Sequence, residues 1–172
     1  MEYLYDYARR WQESEDIDDL IKFKPKSCIL EIGAGCGHLA HYLDKKGHTV
    51  VTTNAHDDEI RDCNLIPYVQ PVFWEYTGLG CPISILQRYG LYDYIIANGN
   101  AMHKASGGLI ETDEEYEYLV KGLLKILRPG GEIWLGFNPS LNNEYMKKYQ
   151  YQDERAHDMV LGSNVFKFTR KI

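Results

Sequence analysis

The feature that most constrains this 172-residue chain is an apolar run that stops at a cluster of glycines. Ser27-Cys28-Ile29-Leu30-Glu31-Ile32 is apolar almost throughout, as a strand buried on both faces of a parallel sheet must be. Gly33-Ala34-Gly35-Cys36-Gly37 follows it. Residues 38–46 then place Leu39, Ala40 and Leu43 on one helical face, and Gly47 stands where a helix C-terminus needs a glycine. Strand, glycine loop and helix in that order open a parallel α/β sheet. In such sheets ligands bind beyond the carboxyl ends of the strands. Glycines let the backbone approach a ligand closely, and the helix start offers N–H groups to a negative ligand group.

The rest of the chain alternates in the same way. Residues 3–22 read as a helical lead-in, with a break near 14–16 that makes two short helices. Strands are expected over 48–53, 69–76, 92–97 and 132–137. Helices are expected over 57–64, 83–89 and, most clearly, 114–127, where Tyr118, Leu119, Leu123, Ile126 and Leu127 share a face. Arg128-Pro129-Gly130-Gly131 stops that helix. Residues 141–150 look helical. Two short β runs, 159–161 and 165–170, flank the turn Gly162-Ser163-Asn164. This implies one α/β domain over 1–172, with a lead-in (1–26), a core (27–138) and a helix with a closing hairpin (139–172). Its fold class is Rossmann-like: a mostly parallel seven-stranded sheet, helices on both faces, and an antiparallel C-terminal hairpin.

Net charge is −6, so the average field repels a polyanion and argues against a nucleic-acid partner. The four cysteines form no CxxC pair and have no zinc spacing, which reads as reduced thiols in a cytoplasmic chain. The first residues lack the pattern of a signal peptide, and no apolar stretch is long enough for a membrane span.

Two ligand classes compete for the glycine loop. Dinucleotides prefer G-x-G-x-x-G, but here His38 holds the place of the third glycine. Glu31 also stands two residues before Gly33. A carboxylate there opposes a pyrophosphate and suits the ammonium of an amino-acid-like ligand. Both points count against a nicotinamide dehydrogenase.

With the loop Glu31-Ile32-Gly33-Ala34-Gly35-Cys36-Gly37, three further segments resemble one family in order and spacing: Gly47-His48-Thr49-Val50-Val51-Thr52-Thr53-Asn54, Leu91-Tyr92-Asp93-Tyr94-Ile95-Ile96-Ala97-Asn98, and residues 124–134 around Arg128-Pro129-Gly130-Gly131. Over residues 27–138 the chain resembles the class I S-adenosylmethionine-dependent methyltransferases. The resemblance implies S-adenosylmethionine as cofactor and methyl transfer as activity. It implies Glu31, Gly33, Gly35 and Gly37 around the cofactor's amino-acid end. Asn54 falls where the family usually has an acid for the ribose hydroxyls. An amide can make that contact in neutral, weaker form. Glu75 matches the position that accepts from the adenine amine, and Tyr76 beside it offers a stacking face. Asn98 falls on the floor of the site, beside the methyl group.

Methyl transfer needs an in-line nucleophile and, for some acceptors, a base. His103 is the candidate base, with a positioning or surface role as the alternative. Lys104 is a candidate for orienting an anionic substrate. Asn98 and Asn138 at the strand ends are poor magnesium ligands, so no metal is expected. The run Asn98-Gly99-Asn100-Ala101 lacks the Asn/Asp-Pro-Pro-aromatic signature of amino-methylating DNA enzymes. Little sequence lies outside the sheet, so a small-molecule acceptor fits best, with a protein partner that completes the site as the alternative. A rival reading keeps the fold as a non-catalytic S-adenosylmethionine-binding module or partner subunit, and Asn54 favours it.

Overall fold

The computed structural model describes residues 2–33, 37–54, 70–73, 90–97, 113–137, 151–152 and 164–171. In chain order the elements are α1 (Glu2–Ile21), β1 (Cys28–Ile32), α2 (His38–Lys45), β2 (Thr49–Asn54), β3 (Gln70–Phe73), β4 (Tyr92–Ala97), α3 (Asp113–Ile126), β5 (Leu127–Phe137), β6 (Tyr151–Gln152) and β7 (Asn164–Thr169). The strands lie in the order β3-β2-β1-β4-β5-β7-β6. β1 runs parallel to β2 and β4, β2 to β3, and β4 to β5. β7 is antiparallel to both β5 and β6. A parallel core with an antiparallel C-terminal pair is the mixed α/β, Rossmann-like arrangement that the alternation of strands and helices implies.

The period of two along β1 divides the core. Leu30 and Ile32 join Ile95, Ala97, Val120, Leu123, Ile126 and Ile133 on the face covered by α3. Ile29 joins Ile17, Ile21, Leu39, Leu43, Tyr94 and Ile96 on the face covered by α1 and α2. Among the described residues no helix is long and apolar enough to cross a membrane.

Three expectations need correction. α1 is one unbroken helix of 20 residues rather than two. The polar stretch that suggested a break is bonded within the helix: the Ser14 hydroxyl donates to the Arg10 carbonyl, Trp11 Nε1 to Glu15 and Gln12 to Asp16. β5 begins at Leu127 and absorbs the Arg128-Pro129-Gly130-Gly131 turn. Leu127 pairs with Tyr92 and Glu132 with Tyr94, so three extra residues bulge from β5. Backbone bonds between Gly130, Gly131 and Arg170, and the Arg170 guanidinium on the Leu127 carbonyl, pin that bulge. The strand outside β7 is Tyr151–Gln152, upstream of the expected run at 159–161. That run lies outside the described residues, as do the expected helices over 57–64, 83–89 and 141–150.

Asp93 ties the starts of β1 and β4, at the end of the sheet opposite the glycine loop. It accepts from the Cys28 backbone N–H at 2.8 Å and from the Arg128 guanidinium at 3.0 and 3.1 Å. The bulge packs against it tightly. A Cβ on Gly131 would stand 2.8 Å from the Asp93 carbonyl oxygen and 2.9 Å from that of Arg128. Backbone atoms cannot yield as side chains do. Gly131→Ala should therefore cost roughly 1–3 kcal/mol, read as a lower urea midpoint with an unchanged slope. A midpoint equal to that of the unaltered protein would contradict this packing.

Candidate functional site

The register brings the productive strand ends level. Ile32 pairs with Thr53 of β2 on one side and with Ala97 of β4 on the other. The glycine loop after β1, the end of β2 at Asn54 and the end of β4 therefore sit side by side, about one strand spacing apart. β1 lies between β2 and β4, so its carboxyl end stands at the point where the strand order reverses.

Glu31 is buried, with 3% of its surface exposed. Its carboxyl accepts a hydrogen bond from the backbone N–H of Ala40, in the first turn of α2. Burial nevertheless dominates and pushes the carboxyl up from 4.5 to about 8. A carboxyl held neutral in an apolar layer is poised to ionise if a cation comes to it.

Gly33 and Gly37 adopt positive φ, 67° and 78°. Gly37 is the N-cap of α2 in the left-handed conformation and provides no side-chain cap. Of the first-turn N–H groups of α2, that of Ala40 is taken by the Glu31 carboxyl. Asn54 ends β2, its backbone paired with Phe73 of β3. Gly35, Glu75, Tyr76, Asn98 and His103 lie outside the described residues. Among the described residues no three His, Cys, Asp or Glu side chains could hold a metal ion.

Beside the loop stands a cluster that periodicity alone did not single out. Tyr7 and Trp11 of α1 meet His38, His41 and Tyr42 of α2, with ring centroids 4.8 to 6.2 Å apart. The Tyr7 hydroxyl lies 3.2 Å from His41 Nε2. The apolar points of α1 at helical spacing were visible in the sequence. Their partners, His38 and His41, are half-buried. His48 is structural: its Nδ1 accepts from the Ser27 backbone N–H at 3.2 Å.

No protein-family model matches the chain. The ribosomal RNA small subunit methyltransferase A of Alkaliphilus metalliredigens (strain QYMF) is 34% identical over 65 residues, 38% of this chain. The chain spans 21% of that protein's length. A TehB-like SAM-dependent methyltransferase from Corynebacterium glutamicum superposes with a TM-score of 0.64 over 99% of both chains, at 22% identity. The chain has the class I S-adenosylmethionine-dependent methyltransferase fold. Another protein of this fold, SAM-bound CalS10 from Micromonospora echinaspora, an amino pentose methyltransferase, superposes with a TM-score of 0.56 over 87% of this chain and 62% of its own, at 18% identity. The named acceptors thus include both a sugar and ribosomal RNA. The argument from net charge against a nucleic-acid partner is therefore not supported by the proteins that share this methyltransferase fold.

The buried carboxyl has a consequence for the ligand-free protein. In the unfolded chain Glu31 ionises near 4.5, and in the fold near 8. Its contribution to stability is complete below the lower value and is lost as pH rises through the upper one. The thermal midpoint should fall between about pH 5 and about pH 8, and Glu31→Gln should flatten that fall. An equally steep fall in the variant would contradict a buried neutral Glu31.

Proposed function

We propose that the chain is an S-adenosylmethionine-dependent methyltransferase, acting as one domain with a sheet of seven strands. The observation that carries the reading is the Glu31 carboxyl, buried at the end of β1 beside a positive-φ glycine loop, in a methyltransferase fold. When bound, the cofactor supplies a methyl group on a sulfonium. Glu31 would ionise and receive the ammonium, while Gly33, Gly35 and Gly37 let the backbone close on the amino-acid end. Asn54 is assigned to the ribose hydroxyls, and Glu75 and Tyr76 to adenine. Asn98 is assigned to the floor beside the methyl group and His103 to proton removal from the acceptor.

For the acceptor we favour a small molecule, as for the amino pentose methyltransferase that shares the fold. Ribosomal RNA is the second acceptor class, favoured by the local similarity to an rRNA methyltransferase. A binding module without transfer is favoured by Asn54 alone.

Two measurements test the reading. Calorimetry should show S-adenosylmethionine binding and no comparable binding of NAD. Incubation with panels of small amines, hydroxy compounds and ribosomal RNA should release S-adenosylhomocysteine with one class. Tight NAD binding without S-adenosylmethionine binding would overturn the cofactor; binding without release across both panels would favour the non-catalytic module. Asn54→Asp should tighten cofactor binding roughly threefold to tenfold, by making the ribose contact charge-assisted. Unchanged or weaker binding would remove Asn54 from the ribose site.

A further inference from the structure

The end of the sheet away from the glycine loop is built from short segments that bond to one another in turn. The Thr49 backbone N–H donates to the Ser27 carbonyl at 3.0 Å, and the Cys28 N–H donates to Asp93. Asp93 accepts from Arg128, and the bulge that Arg128 opens is bonded through Gly130 and Gly131 to Arg170. The amino ends of β2, β1, β4 and β5 and the carboxyl end of β7 therefore form one continuous face, about 19 Å wide at four strand spacings. α2 ends there at Lys45 and α3 at Ile126, and the turn from α1 into β1 crosses it.

That face is strongly basic although the chain as a whole carries −6. Residues 22–28, 45–49, 90–93, 125–131 and 169–171 hold nine lysines and arginines and one acid, Asp93. Lys24, Lys26, Lys46, Lys125, Arg128 and Lys171 are exposed. Asp18, Asp19, Asp44 and Glu132 stand at its margin; with all four counted in, four positive charges remain in excess. Lys45 and Lys125 lie in the last turns of α2 and α3, where a cation answers the helix dipole. Lys24, Lys26 and Lys171 stand outside the helices and have no such role. The rest of the chain is correspondingly acidic, so charge is polarised and the average field does not describe this end.

The make-up of the face selects among anionic partners. Lysine is depleted at protein–protein interfaces, whose cores are apolar and aromatic. A membrane surface is held stably by basic charge together with inserted apolar groups. Among the described residues Leu91 is the single large apolar side chain left exposed. Lysines and arginines spread over a face with little apolar between them suit a phosphodiester backbone, which such side chains bind without regard to sequence. We propose that this amino-end face of the sheet docks the phosphate backbone of a nucleic acid, on the side of the domain away from the glycine loop. RNA and DNA share that chemistry. The face is a docking surface, separate from the cofactor reading above and from the choice of acceptor.

Fluorescence anisotropy tests this with a labelled single-stranded RNA and a DNA of the same sequence, each about 20 nucleotides long, without S-adenosylmethionine. Log affinity should fall with log salt at a slope of about −4, roughly 0.7 for each of the six exposed cations. Lys24→Gln, Lys26→Gln, Lys125→Gln and Lys171→Gln combined should flatten that slope by about 3 and weaken binding more than about tenfold near 100 mM salt. These side chains are exposed, so the variant should keep the thermal midpoint of the unaltered protein. Equal binding of RNA and DNA would place recognition in the phosphodiester alone, and a preference for RNA would bring in the ribose 2′-hydroxyl. Absence of binding to both strands at low salt would overturn the proposal, as would an unchanged affinity and slope in the folded variant. Equal or tighter binding to phosphatidylserine vesicles or to polyglutamate would also overturn it, assigning the face to a membrane or to an acidic protein. The assay contains no cofactor, so its failure and the failure of the cofactor reading are told apart.

Discussion

β1 is covered on every side, and the rest of the fold is arranged by that fact. Its two edges are hydrogen-bonded to β2 and β4. Its two faces are buried under α3 on one side and α1 with α2 on the other. A strand so enclosed can carry a carboxylate only where the chain leaves the sheet, because burying a charge without compensation is costly. Glu31 stands one residue from that exit and pays for its position with a raised pKa. Beyond it Gly33 takes a positive φ, and Gly37 caps the start of α2.

Much of this was legible in the sequence because local and global signals agree there. The run from Cys28 to Ile32 is apolar on both faces, and only a central parallel strand asks for that. The glycines follow at the point where backbone geometry needs them. β2, β4 and α3 were equally plain, each a periodic segment bounded by a turn. The failures came where tertiary bonding overrode punctuation. Pro129-Gly130-Gly131 is a strong turn signal, yet Arg170 on the neighbouring strand holds it within β5 as a bulge. The acids and Ser14 of α1 suggested a break, yet they bond along the helix.

The candidate site was legible in part. Glu31 and the glycines announce themselves by type and spacing. The Tyr7–His41 contact spans 34 residues, and no pattern within either helix encodes it. A histidine one turn into an amphipathic helix reads as surface until a second helix is laid across it. The glycine motif is local, whereas the α1–α2 contact exists only once the two helices pack.

The central claim is that a buried, neutral Glu31 ionises to hold the ammonium of S-adenosylmethionine. It is tested most directly by the protons exchanged on binding. Calorimetric titrations at pH 7 in buffers of different ionisation enthalpy give that number. The account predicts release of roughly one proton on binding S-adenosylmethionine, and none on binding 5′-methylthioadenosine, which has no ammonium. Binding of S-adenosylmethionine with no proton released, or with equal release for both ligands, would contradict it.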